Sequence, residues 1–300
     1  FLGSTLVLIR KFDPELVWEL FEREGVNSVL LTGDAMARPL MDSLDEHRGR
    51  WDLSSLISVS SSAALFSQSL KDRYLEEFPN LIITDSIGST ESGFNGLMYA
   101  AKGAKAAAGG PTVSPGADVV ILDEELEVIP AGDLRIGKLG RGGNIPLGYF
   151  NDPKKTAETF IVAADGRRYA VSGDSAQWTE DGRMTMLGRG SVSINSGGEK
   201  IFPEEVEQAL KAHPAVFDCT VVGVPDDRWG QRVAAVVQFS EGASCTLEDL
   251  GAHARLHIAG YKVPRELHVV DQIVRSPSGK PDYRWAKQLA ESASSPTSDS

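Results

Sequence analysis

Three neighbouring stretches are the most informative in the chain: Ser172-Gly173-Asp174, Thr179-Glu180-Asp181-Gly182-Arg183-Met184-Thr185-Met186-Leu187-Gly188-Arg189, and Ser196-Gly197-Gly198-Glu199-Lys200. They read as a Gly-Asp turn, a hairpin, a Gly-Arg step and a glycine-rich loop in close succession. Glycine is required at 173 because the backbone must bend sharply there. The bend is expected to hold Asp174 at a strand end, where a carboxylate can accept two hydrogen bonds from a diol. Arg189 adds a planar cation a short distance away. Together these groups make a grip for a ribose and its nucleotide, and they point to chemistry that consumes ATP.

Upstream, the pattern alternates strands and helices. Asp13-Pro14 opens a helix with an N-cap and a proline in the first turn, carrying an apolar stripe of Leu16, Val17, Leu20 and Phe21 and ending at Gly25. Val29–Leu31, Leu56–Val59 and Leu81–Thr84 read as strands. Helices are expected around Arg38–His47 and after Ser67, with Leu70, Tyr74, Leu75 and Phe78 on its apolar side. Such alternation argues for a parallel sheet with crossover helices. From about Gly116 short strands take over, beginning with a hairpin around Asp123-Glu124, and read as an antiparallel, barrel-like block. After Arg189 a third pattern begins. Pro203 starts a helix to Lys211, Cys219–Val224 and Val233–Phe239 are β-rich, Thr246 starts a helix reaching about Tyr261, and Leu267–Val270 is a last strand. The fold class is therefore α/β: a parallel-sheet α/β subdomain over 1–115, a β-barrel-like subdomain over 116–188, and a small α+β domain over 189–290. The serine-rich end, 291–300, is expected to be a disordered tail.

Composition narrows the function classes. Of 300 residues, 41% are hydrophobic and 24% charged, as in a soluble globular protein of about two domains. The net charge of −12 argues against nucleic acid as a partner, since phosphate backbones select basic faces. No apolar run is long enough for a transmembrane helix, and no signal peptide is visible. Two cysteines, Cys219 and Cys245, give no disulfide framework and fit a reducing cytoplasm. Phe1 is not an initiator residue and opens in mid-segment, so an upstream part is expected.

Five segments then resemble, in order, the motifs of adenylate-forming enzymes of the acyl-CoA synthetase superfamily. They are Asp85-Ser86-Ile87-Gly88-Ser89-Thr90-Glu91, Ser172-Gly173-Asp174, Leu187-Gly188-Arg189, Ser196-Gly197-Gly198-Glu199-Lys200 and Ser276-Pro277-Ser278-Gly279-Lys280. Gly33-Asp34-Ala35-Met36-Ala37-Arg38-Pro39 and Gly279-Lys280-Pro281-Asp282-Tyr283-Arg284-Trp285 resemble the bacterial fatty-acyl and steroid side-chain CoA ligases in particular. The likeness covers nearly the whole chain apart from its tail.

The resemblance implies an enzyme that joins a carboxylic acid to AMP, releases pyrophosphate and transfers the acyl group to coenzyme A, using ATP, Mg²⁺ and CoA. It implies a mobile C-terminal domain that swings about a hinge, expected at Ser191, where relatives often carry Asp or Lys. By the same resemblance Glu91 is the Mg²⁺ ligand and Thr90 contacts phosphate. Asp174 and Arg189 hold the nucleotide with Asp85, Ile87 and Gly88, while Gly197, Gly198 and Lys200 face CoA. Lys280 is the cation for adenylation, stabilising charge that builds at the α-phosphate.

Three departures from the family pattern are visible. The Ser/Thr/Gly-rich phosphate loop ending in Lys is expected upstream of Phe1. Ile87 stands where relatives carry an aromatic residue over adenine, and Ser62-Ala63 stands near a Gly-Gly pair of relatives. Two other readings stay open: a catalytically impaired fragment that only binds nucleotide or CoA, and an amino-acid adenylation domain. Bland readings hold elsewhere. His253 and His257 read as helix-surface histidines, Trp229-Gly230 as packing and turn, and Glu204-Glu205-Glu207 as a solvated helix face. The acyl substrate and the oligomeric state are not legible.

Overall fold

The computed structural model describes residues 3–103, 111–276 and 279–294. By contact the chain divides into two units: Phe1–Ser86 with Tyr99–Lys105 and Pro277–Lys280, and Ile87–Met98 with Ala106–Ser276 and Pro281–Ser300.

In the first unit, α1 (Pro14–Glu24) begins where the Asp13 side chain accepts from Leu16 N at 3.1 Å, and it ends on Gly25 in the left-handed region. Its buried face is Val17, Trp18, Leu20 and Phe21. Leu16, expected on that stripe, is 41% exposed. The inward face centres on Trp18 instead, whose indole N–H donates to Leu40 O at 2.9 Å. The elements β1 (Ser28–Leu31), α2 (Gly33–Glu46), β2 (Ser58–Ser61), α3 (Gln68–Glu77) and β3 (Ile82–Ser89) follow. β1, β2 and β3 pair in parallel, with Ser28 opposite Ser58 and Ser58 opposite Ile82. This is the sheet that crossover helices require.

α2 starts at Gly33 rather than around Arg38 because Asp34 secures its first turn. The Asp34 N–H donates to Leu65 O at 2.8 Å, and its carboxylate accepts from Ser67 N at 2.8 Å. Trp18, Leu40, Met41, Val59, Tyr74 and Ile83 form the core against the sheet. Each such side chain contributes about 2 kcal/mol by leaving water.

In the second unit the antiparallel strands are β4 (Gly93–Tyr99), β5 (Thr112–Pro115), β6 (Val119–Leu122), β7 (Val128–Ile129) and β8 (Ile136–Arg141). After the short helix α4 (Pro153–Thr159) come β9 (Phe160–Val162), β10 (Arg168–Trp178) and β11 (Met184–Arg189). Neighbours run β4-β5-β11-β10-β8-β6-β7, with β9 on β10. Val113, Ile121, Leu139, Ala176 and Met184 fill the space beneath them.

The α+β part comprises β12 (Ile194–Ser196), β13 (Glu199–Ile201), α5 (Pro203–Lys211), β14 (Val216–Asp226), β15 (Gly230–Phe239), α6 (Leu247–Ala254), β16 (Glu266–Val269) and α7 (Tyr283–Ser294). Its sheet runs β13-β12-β15-β14, with β16 parallel to β15. α6 stops at Ala254 rather than near Tyr261: Leu256 N reaches back only to His253 O, and Gly260–Lys262 forms a separate 3-10 turn. α7 was not anticipated from the sequence. Ala286 and Ala290, four apart, let it lie close on Val222, Val224, Ala234 and Val236. It runs through Ser294, so residues 291–294 of the expected tail are helical, and 295–300 lie outside the described residues. Among the described residues no helix is long and apolar enough to cross a membrane.

Candidate functional site

β10 and β11 bring the two central residues together. Asp174 lies directly opposite Arg189 in the ladder, and Arg189 Nε stands 3.5 Å from Asp174 Oδ1. Asp174 is not at a strand end, as its Gly-Asp sequence implied. It sits within β10, at a bulge, and Gly173 at φ +87° bends the strand without breaking it. The Asp174 carboxylate is largely buried, while the Arg189 side chain is 61% exposed. Ser172 Oγ donates to Asp174 Oδ2 at 2.8 Å, fixing the carboxylate plane. A carboxylate with open lone pairs beside a solvent-facing guanidinium can accept from a diol and pair with a phosphate.

The motif on β3 divides into parts with different surroundings. Glu91, just past β3, accepts from Tyr149 Oη at 2.6 Å through Oε1. That hydrogen bond is the main reason its carboxyl lies below the usual range, with Ser89 and Lys155 adding to it. A carboxylate held ionised, half-buried and beside the exposed Thr90 is an oxygen-donor arrangement that suits a hard cation such as Mg²⁺. Tyr149 was not picked out from the sequence. Its signal was the Gly148-Tyr149 step shortly before the Asp152-Pro153 helix start, where Asp152 accepts from Lys155 N at 2.9 Å.

Asp85, expected to face nucleotide, accepts from the buried Lys71 ammonium through Oδ2. Burial pushes the Asp85 carboxyl up, and Lys71 only partly offsets this. Ile87 is half-buried and packs against the Val113–Ile121 core, and Gly88 is exposed.

β12 and β13 form a tight hairpin closed by Gly197 (φ +62°) and Gly198 (φ +89°), with Ser196 opposite Glu199. Two consecutive positive φ angles demand this Gly-Gly pair. Gly197 N donates to Trp229 O at 2.9 Å, and a Cβ on Gly197 would come within 2.6 Å of the Trp229 ring. Trp229 and Gly230 thus serve packing and turn, as read from sequence. Lys200 and Ser191 are exposed, the latter in a 3-10 turn over Gly190–Val192.

The acidic run on α5 is not a solvated face. Glu205 and Glu207 are 6% and 2% exposed. Lys262 donates to both Glu205 oxygens, and Glu207 Oε1 accepts from Val221 N at 2.9 Å. Partners from distant segments meet these charges, which sequence spacing could not reveal. Glu204 tucks its carboxylate against Gly188, where a Cβ would collide with it, and its Oε2 is sealed from solvent with no hydrogen-bond partner. Desolvation, reinforced by the Glu207 charge, pushes its pKa up to about 8.

Lys280 follows Gly279, which has φ +80°; by contact both are grouped with the first unit. Pro277 and Ser278 of the same motif lie outside the described residues.

The model for AMP-binding enzymes matches residues 1–150, and that for the AMP-binding enzyme C-terminal domain matches residues 205–280. The chain belongs to the AMP-binding enzyme family. This AMP-binding enzyme chain is 56% identical over 295 residues to a medium/long-chain-fatty-acid–CoA/3-oxocholest-4-en-26-oate–CoA ligase of Mycolicibacterium smegmatis, covering 97% of the chain and 53% of that protein. It is 53% identical to a 3-oxocholest-4-en-26-oate–CoA ligase of Rhodococcus rhodochrous, covering 96% and 52%. Among solved structures it resembles the amide bond synthetase McbA of Marinactinospora thermotolerans, with TM-score 0.81 and 29% identity over 96% of the chain and 56% of McbA. The AMP-binding enzyme chain thus spans about half the length of the curated relatives it matches.

Proposed function

We propose that the protein carrying this chain is an ATP-dependent, AMP-forming acyl-CoA synthetase of the cytoplasm, acting on a fatty or steroid-derived carboxylic acid. The observation that carries the reading is the Asp174–Arg189 pair, set face to face in a chain 56% identical to a fatty-acid and steroid CoA ligase. Of the readings left open by sequence, this one agrees with the names of the relatives.

In the first half-reaction the substrate carboxylate attacks the α-phosphate of ATP and pyrophosphate leaves. Asp174 accepts from the ribose hydroxyls, Arg189 assists, and Ile87 and Gly88 border the base. Lys280 stabilises the charge that builds at the α-phosphate; its contribution is electrostatic. Glu91 and Thr90 are the residues that would hold Mg²⁺, which when bound neutralises phosphate charge. In the second half-reaction the CoA thiol displaces AMP, with the Gly197-Gly198 hairpin and Lys200 against the pantetheine arm. Residues 189–290 act as a mobile domain hinged near Ser191. Asp85, already engaged by Lys71, contributes shape more than charge.

The test is pyrophosphate release by the full-length protein with and without Lys280→Ala. The variant should lose roughly 10²–10³-fold in turnover, as when one charge-stabilising donor is removed. Unchanged turnover would overturn the assignment of Lys280.

A further inference from the structure

Arg275 and Pro281, which flank Lys280 in the chain, sit at a buried ionic cluster that the proposed chemistry does not use. Arg275 lies five residues before Lys280 and makes a two-pronged contact with Asp218 at the start of β14. Its Nε donates to Oδ2 at 2.8 Å and its Nη2 to Oδ1 at 2.7 Å. Asp218 Oδ1 also receives the Lys211 ammonium at 2.9 Å and the Cys219 N–H at 2.8 Å. Lys211 comes from α5, one turn after Glu207, and Glu207 Oε2 stands 3.5 Å from Tyr283 Oη at the start of α7. Pro281, the residue after Lys280, lies beside Arg275. Arg275 and Pro281 form an isolated antiparallel bridge, and Asp282 N donates to Val274 O at 3.2 Å. Asp282 Oδ1 then accepts from Trp285 N at 3.0 Å and starts α7. Pro281 and Asp282, next after Lys280, are thus tied to Val274 and Arg275, and Arg275 through Asp218 to β14.

Lys211 and Arg275 balance the two buried carboxylates, Asp218 and Glu207, and a second ammonium in place of the guanidinium would balance them equally. What the Arg275 fork adds is direction, because a planar guanidinium fixes two parallel bonds where an ammonium fixes one point. We infer that Arg275, clamped by Asp218, is the positioning residue that holds Lys280 in place for acyl-adenylate formation. The inference rests on the role given to Lys280 above. It follows that loss of the fork harms the first half-reaction and spares the second, in which Lys280 has no part.

The experiment uses the full-length protein, Arg275→Met and Arg275→Lys, each assayed twice. Adenylation is followed as pyrophosphate release with ATP and dodecanoic acid. Thioester formation is followed with synthetic dodecanoyl-adenylate and CoA. Arg275→Met keeps the Lys211 contact of Asp218 but removes one of two cations facing two buried carboxylates, so it costs stability, and the second assay reports directly whether the variant has folded. Its adenylation kcat should fall about 100-fold, the effect of a displacement near 1 Å. The KM for ATP and the thioester rate should stay within about threefold. Arg275→Lys should recover only part of the loss, because it restores charge without the fork. Equal loss in both half-reactions, or an Arg275→Met adenylation rate within about threefold of the unsubstituted protein, overturns the inference. Failure of the unsubstituted protein to release pyrophosphate overturns the proposed function, and the inference with it.

Discussion

Glu204 should make the stability of this chain fall as pH rises. Burial strips water from its carboxylate, which also faces the charges of Glu207 on its own helix and Asp174 on β10 and the phenol of Tyr283 on α7, with the Arg189 backbone N–H as a favourable contact. Its pKa therefore rises from 4.5 to about 8 in the folded chain. Over that interval the folded state holds a proton that the unfolded state has lost. The stabilising contribution is thus complete below pH 4.5 and is lost as pH climbs through about 8. At about 1.4 kcal/mol per pH unit, the loss between roughly pH 5.5 and 8.5 is at most about 3 kcal/mol. We expect about 1–2 kcal/mol, because the side chain as a whole is only half-buried and solvent screens part of the cost. Glu204→Gln keeps the shape and removes the titration. Denaturant unfolding of both forms across this pH range should show the original chain losing that much more than the variant. Parallel pH profiles would refute the argument. If the contact of α5 with β11 opens before the rest unfolds, the loss appears first as exchange of the Arg189 amide hydrogen.

Two further outcomes follow from local geometry. Ala63 lies at φ +70°, where a Cβ costs roughly 1–2 kcal/mol. Ala63→Gly relieves that strain against a smaller entropic penalty and should stabilise the chain by about 0.5–1 kcal/mol in thermal melts, whereas a lower Tm would contradict it. Tyr149→Phe removes the hydrogen bond that holds the Glu91 carboxyl down, so Glu91 should protonate at a higher pH. The acid limb of the pyrophosphate-release profile in the full-length protein should then move to higher pH, and an unmoved limb would exclude Glu91 from the titration.

Features that depend on near neighbours are legible in the chain alone. Asp13 and Gly25 bound α1, Gly197-Gly198 close the β12–β13 hairpin, and alternating strands and helices give parallel pairing of β1, β2 and β3. Its spaced motifs also carried the family and put Asp174 and Arg189 close enough to meet across a hairpin. Helix caps and turns are set within a few residues, so their chemistry is written locally. Which charges are buried, and which groups meet them, is settled by three-dimensional packing. Glu91 finds Tyr149 across 58 residues, Arg275 finds Asp218 across 57, and Glu205 and Glu207 turn inward because Lys262 and the Val221 N–H are there to receive them. A buried charge is tolerated only where a partner arrives, and that partner is brought by the packing of distant segments rather than by spacing along the chain.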